Sequence, residues 1–157
     1  MTLVTHYFPT QNDLMHGVLE HQLERFDDEL ETLAIGEEPA QRLRTLAEWF
    51  LPLDDESWNL ERARVLLAIR SESDDEWMRP HLNRVDAKMR NHLRDALRPL
   101  VGPTDLDLAV DMLRMVLNGI VLSAVEHRRH WTVERQLAVL DRLWATLPWK
   151  ENRAPGA

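Results

Sequence analysis

Apolar residues recur three and four positions apart along nearly the whole chain, and no segment alternates with period two for long enough to suggest a strand. The pattern predicts an all-α bundle of about six main helices. The first, over residues 11–35, starts behind Pro9 with Thr10 as cap and Asp13 at the capping-box position; it buries Leu14, Val18, Phe26, Leu30 and Leu33, and Gly36 stops it. A second, over 39–50, has proline in its first turn and buries Leu43, Leu46, Ala47 and Phe50. The third, over 55–71, carries the run Val65, Leu66, Leu67, Ala68, Ile69, too apolar for a surface helix, and is expected to pass through the middle of the domain. A fourth, over 75–100, holds the near-heptad stripe Met78, Leu82, Val85, Met89, Leu93, Leu97. Thr104 with Asp107 forms a capping box for a fifth helix, over 104–127, and Thr132 with Glu134 caps a last one, over 132–147; from Pro148 onward the chain is expected to fray.

The fifth helix is apolar on two faces. Ala109, Leu113, Val116, Ile120 and Ala124 line one stripe; Leu108, Met115, Gly119 and Leu122 line another, about 100° away. One face can meet the chain's own core, and the other needs a partner. A homodimer through the last two helices follows, an intermolecular four-helix bundle with Met115, Gly119, Leu122, Leu137, Leu140 and Trp144 at its interface.

Charge and composition narrow the function. With 19 basic against 27 acidic residues the formal net charge is -8, which argues against nucleic-acid binding by this surface as a whole. Cysteine is absent, so there is neither a disulfide framework nor a thiolate site. His16 with His21 and His127 with His130 lack the spacing or the electrostatics of metal ligands, and Arg128 and Arg129 oppose a cation at the second pair. Acid pairs such as Asp54 and Asp55 read as helix starts, and no phosphate loop, nucleophile elbow or zinc-protease motif occurs, so no enzyme and no cofactor are expected. The most apolar segment is interrupted by Asn118 and Gly119, which predicts a cytoplasmic protein with no membrane partner. Wide aromatic and thioether side chains on the central helices, Trp49, Phe50, Trp58, Trp77, Met78, Met89 and Met112, are candidates to line a pocket for a flat apolar small molecule, with Arg70 as partner for an anionic group on it.

The opening segment from Thr2 to Leu14, above all His6, Tyr7, Phe8, Pro9, Thr10, Gln11, Asn12, Asp13 and Leu14, resembles the junction at the end of the DNA-reading helix of TetR-family regulators. Leu117, Asn118, Gly119, Ile120, Val121 and Leu122 resemble the penultimate helix of the betaine-regulator-like subgroup, and the start at Trp131, Thr132, Val133 and Glu134 is similar to its final helix. The resemblance implies a TetR-type effector-binding and dimerisation bundle over residues 10–150, a remnant of the helix-turn-helix over 1–9 and a disordered tail over 151–157. It also implies DNA-backbone contacts by His6 and Tyr7, although Gln11 stands where the family usually has Lys. A complete helix-turn-helix cannot be made from the first eight residues, so DNA binding is expected only with a head preceding them. The expectation is therefore the effector-sensing and dimerisation domain of a transcriptional regulator, set against a headless protein that modulates full-length regulators by heterodimer formation and, more remotely, a small helical enzyme.

Overall fold

The computed structural model describes residues 11–33, 35–70, 78–147 and 149–150. They form six α-helices and no strand: α1 Gln11–Thr32, α2 Pro39–Trp49, α3 Asp55–Arg70, α4 Met78–Leu97, α5 Leu106–Glu126 and α6 Val133–Trp144. The chain divides into two compact units, Met1–Leu33 and Ala34–Ala157. In the first, α1 ends where the Thr32 hydroxyl donates to the carbonyls of Asp28 and Glu29, at 3.2 and 3.0 Å, earlier than the stop expected from Gly36. The cap assigned to Thr10 lies outside the described residues.

The second unit holds α2 to α6. Pro39 starts α2 behind an extended Glu38, and Leu43, Leu46 and Ala47 turn inward, continued by buried Phe50 and Leu51. At the start of α3, the Asp54 carboxylate accepts from the Ser57 N–H at 2.7 Å and from its hydroxyl at 2.8 Å. These bonds hold the Asp54 carboxyl below its usual value, the capping role expected of such acids. Thr132 likewise caps α6, accepting from the Arg135 N–H, and its bond with Glu134 holds that carboxyl low. The box expected at Thr104 does not form: α5 begins at Leu106, and Asp107 accepts from Arg94 at 2.7 Å instead.

The centre of this unit is α5, which packs against α3, α4 and α6, while α2 lies on α4. It buries Ala109, Val110, Leu113, Arg114, Leu117, Ile120, Val121 and Ala124. This corrects the central place expected for α3, whose Leu60, Leu66 and Ile69 are 47, 49 and 64% exposed. A continuous apolar run fills every direction of the wheel, so part of it faces solvent wherever a helix lies at the edge of a bundle. By length and composition α5 could cross a membrane, with a mean hydropathy of 1.7 over its most apolar window. A core helix passes the same test, and 44% of that window is buried inside the protein.

Beyond α6 the chain does not fray at once, contrary to the sequence reading. Trp149 pairs with Val101 in an antiparallel bridge, its indole N–H donates to the Trp144 carbonyl at 2.8 Å, and the Lys150 ammonium donates to the carbonyls of Arg98 and Pro99 at the end of α4. Gln136 ties the other end of α6: wholly buried, its amide donates to the carbonyls of Pro52 and Trp131 at 3.2 and 3.1 Å. The burial map is tested by truncation. Leu113→Ala is expected to cost about 3 kcal/mol in urea unfolding and Leu66→Ala less than about 1 kcal/mol, the reverse of what hydrophobicity along α3 suggests.

Candidate functional site

The most unusual side chain in the body is Arg114, on the inward face of α5, whose side chain is only 8% exposed. Its Nε donates to Oδ1 of Asp86 on α4 at 2.8 Å. The other oxygen of Asp86 accepts from Nε of Arg90 at 2.8 Å, and Arg90 also bonds Asp111. From α3, Arg64 donates to Glu61 at 2.6 Å and reaches Oδ1 of Asn118 at 3.4 Å. Burial would push the Asp86 carboxyl up, but bonds from Arg90 and Arg114 and their charges outweigh it and hold it below the usual carboxylate range. Burial pulls the Arg114 guanidinium down from its usual value; Asp86 opposes that shift and the like charge of Arg64 adds to it. Asp86 thus ties α4 to α5 through Arg114, and Arg64 ties α3 to α5 through Asn118. Arg114 escaped the sequence reading because it sits among apolar neighbours of a helix judged by its hydrophobic stripes.

The residues expected to line a pocket divide. Trp49 and Phe50 meet edge to face at the end of α2, with ring centroids 5.3 Å apart. Met89 is buried on α4, one turn from Asp86, and Met112 is half-buried on α5. Trp58 is a latch: its indole N–H donates to the Ala124 carbonyl at 3.2 Å, and Arg128, paired with Asp55, lies 4.4 Å over its ring. Ala124 and Met112 are twelve residues apart on one helix, about 18 Å, so Trp58 and Met112 do not share one small pocket. His6, Tyr7 and Trp77, and the side chains of Arg70 and Met78, lie outside the described residues. No group of three metal-ligating side chains occurs among the described ones.

The second face of α5 is open. Leu108, Met115 and Leu122, seven residues apart, are 61, 68 and 44% exposed, and Gly119 is exposed between the last two. Beside them Val116 of α5, Arg135, Ala138, Val139, Arg142 and Leu143 of α6, and Thr146 just past its end line a groove of about 520 Å³. Of the α6 residues assigned to the interface, Leu140 is wholly buried in its own chain, a correction to the sequence reading. Trp144 meets Trp149 at a tilt of 51°, ring centroids 5.3 Å apart, with Arg44 over its ring, and Leu137 is half-buried. The largest side chains of α6 fill the protomer, so its outward face is the Ala138 and Arg142 side.

Asp86 makes the charged set sensitive to acid. Because its folded pKa lies below the unfolded value of about 4, its contribution is complete above that value and is lost as pH falls through the folded one. Asp86→Asn is expected to cost about 2 kcal/mol near neutrality, discounted from the figure for a fully buried pair because the carboxylate stays 42% exposed. The same substitution flattens the loss of stability between about pH 5 and pH 2 in urea titrations.

Comparison with known proteins completes the picture. No curated protein matches the sequence. The fold is similar to that in the crystal structure of a transcriptional regulator from Rhodococcus sp. Rha1, with a TM-score of 0.74 and 20% identity, over 91% of this chain and 75% of that one. Residues 39–148, from the first turn of α2 to just past α6, match the family described as "BetI-type transcriptional repressor, C-terminal". On that match, which covers all five helices of the larger unit, the chain belongs to the family of BetI-type transcriptional repressors.

Proposed function

We propose that this chain is the effector-sensing and dimerising body of a TetR-type DNA-binding regulator, working as a homodimer through α5 and α6. One observation carries the reading: the most deeply embedded helix of the body leaves Leu108, Met115 and Leu122 in the open at heptad spacing. An aqueous surface does not ordinarily keep such a row, and a second copy of the same face covers it. Gly119 supports this, since a Cβ built there meets nothing within 4 Å in its own chain, leaving room for a neighbouring backbone. The groove between Val116 and the Ala138 face of α6 extends the contact.

Sensing is assigned to the interior of α2 to α5, where Trp49, Phe50, Met89 and Met112 are the candidate apolar contacts. The mechanism is a shift of population: a small molecule that favours one arrangement of the two bodies changes operator affinity by its preference between the two states. DNA contact belongs to the head of such a regulator, with His6 and Tyr7 as candidate phosphate contacts, and not to a body whose net charge is -8.

Light scattering on the purified chain is expected to give twice the monomer mass at micromolar concentration, and a clean monomer there overturns the reading. Met115→Asp, which places a charge in the centre of the shared face, is expected to raise the dimer dissociation constant by at least about tenfold while leaving the helical content unchanged. Gly119→Ala separates the two settings of α5. In a dissociated protomer it adds up to about 1 kcal/mol of stability through helix propensity, whereas in the dimer the added methyl weakens association, read by sedimentation.

A further inference from the structure

The groove beside the open row of α5 carries two cations that the protomer does not neutralise. Arg44, Arg90, Arg94 and Arg128 each pair with an acid of their own chain, as expected where 27 acidic residues stand against 19 basic ones. Arg135 and Arg142 line the groove, are exposed, and make no side-chain ion pair or hydrogen bond among the described residues. The acids beside them on α6 are engaged elsewhere: Asp141 holds Arg44, and Glu134 bonds with Thr132 at the cap. The two arginines stand seven residues apart, on one row of α6 and about 10 Å from each other along the axis. Between them lies Ala138, exposed and too short to fill the space. The result is a hollow with an apolar floor and a positive rim.

The knob that fits this hollow is on α5 itself. Leu122, 44% exposed, has Asn118 and Glu126 four residues to either side on one row, a ridge about 12 Å long that matches the spacing of the arginines. Glu126 is exposed and makes no side-chain ion pair or hydrogen bond among the described residues. The rest of the open row offers no such acid. Met115 has Gly119 on one side and on the other Asp111, whose carboxylate already accepts from Arg90, while Leu108 has Thr104 and Met112 at the corresponding places. Helices pack by setting a ridge of this kind into a facing groove, and the acid next to the leucine supplies what the rim lacks. We propose that Leu122 of a second copy seats over Ala138 between Arg135 and Arg142, with Glu126 of the partner subunit paired to one of them, and that this pairing makes association selective for a chain that carries it. The inference rests on the homodimer proposed above and names what decides its choice of partner.

Sedimentation of the purified chain and of charge-reversed variants tests it. Glu126→Arg removes negative charge from a protomer whose net charge is -8, so overall repulsion alone predicts tighter association. The seat predicts the opposite, a dimer dissociation constant raised at least about tenfold, because an attraction becomes a repulsion at two symmetric places. Arg135→Glu or Arg142→Glu, whichever faces the acid, weakens association to the same extent. Mixed with the Glu126→Arg chain, that variant forms a heterodimer in preference to either homodimer, and the double variant recovers association to within about threefold of the native chain. Glu56→Arg, the same reversal in the exposed first turn of α3, controls for net charge and is expected not to weaken association. All four positions are exposed, so the variants are expected to keep the native far-UV circular dichroism. Unchanged or tighter association of Glu126→Arg, equal weakening by Glu56→Arg, or failure of both arginine reversals to pair with Glu126→Arg overturns the inference. A native dimer indifferent to these reversals sinks the charged seat alone, whereas a monomeric native chain sinks the dimer reading with it.

Discussion

A helix of twenty-one residues with this much hydrocarbon has two ways to leave water, and α5 uses one of them completely and the other not at all. Its inner face, from Ala109 to Ala124, is where α3, α4 and α6 converge. Burial of apolar area is worth roughly 25 cal/mol per Å², so the inner face supplies a large part of what offsets the entropy of ordering the body. The outer row at Leu108, Met115 and Leu122 stays largely in water and contributes much less to the isolated chain. What holds the protomer together and what it offers to a neighbour are thus properties of one element, and movement of α5 would be felt on both sides.

Within that apolar framework the charged set is the exception that needs explaining. A buried guanidinium beside a half-open carboxylate is poor stabilisation compared with hydrocarbon of the same volume, because desolvation offsets much of the attraction. Its value lies in geometry: Arg114 on α5 and Asp86 and Arg90 on α4 are tied by directional bonds that tolerate little sliding, and Arg64 on α3 reaches Asn118 on α5. A greasy contact between the same helices would permit several registers.

Much of the fold was legible from periodicity. The two stripes of α5 divide nearly as the wheel demands, with Ala109, Leu113, Ile120 and Ala124 inside and Leu108, Met115, Gly119 and Leu122 outside, while Val116 of the inner stripe is half-buried at the groove. Proline, Thr132 and the acid at Asp54 mark starts because capping is local chemistry. The failures share a cause, which is dependence on neighbours distant in sequence. The run Val65 to Ile69 looks like a centre, but centrality depends on how many helices surround an element, and three surround α5. Leu140 looks available for a partner, yet the core claims it. Arg114 carried no local signal, since a basic residue within an apolar stretch is ordinarily a solvated side chain and only the approach of α4 reveals otherwise.

The short strap after α6 has a consequence for how the molecule opens. A terminal helix is ordinarily the first to melt, because only one end is attached. Here the bridge between Val101 and Trp149, together with the Lys150 ammonium on the Arg98 and Pro99 carbonyls just past α4, closes a loop of about fifty residues that contains both α5 and α6. Neither helix can peel away from its free end without first unfastening that clasp, which couples the opening of α6 to that of α5.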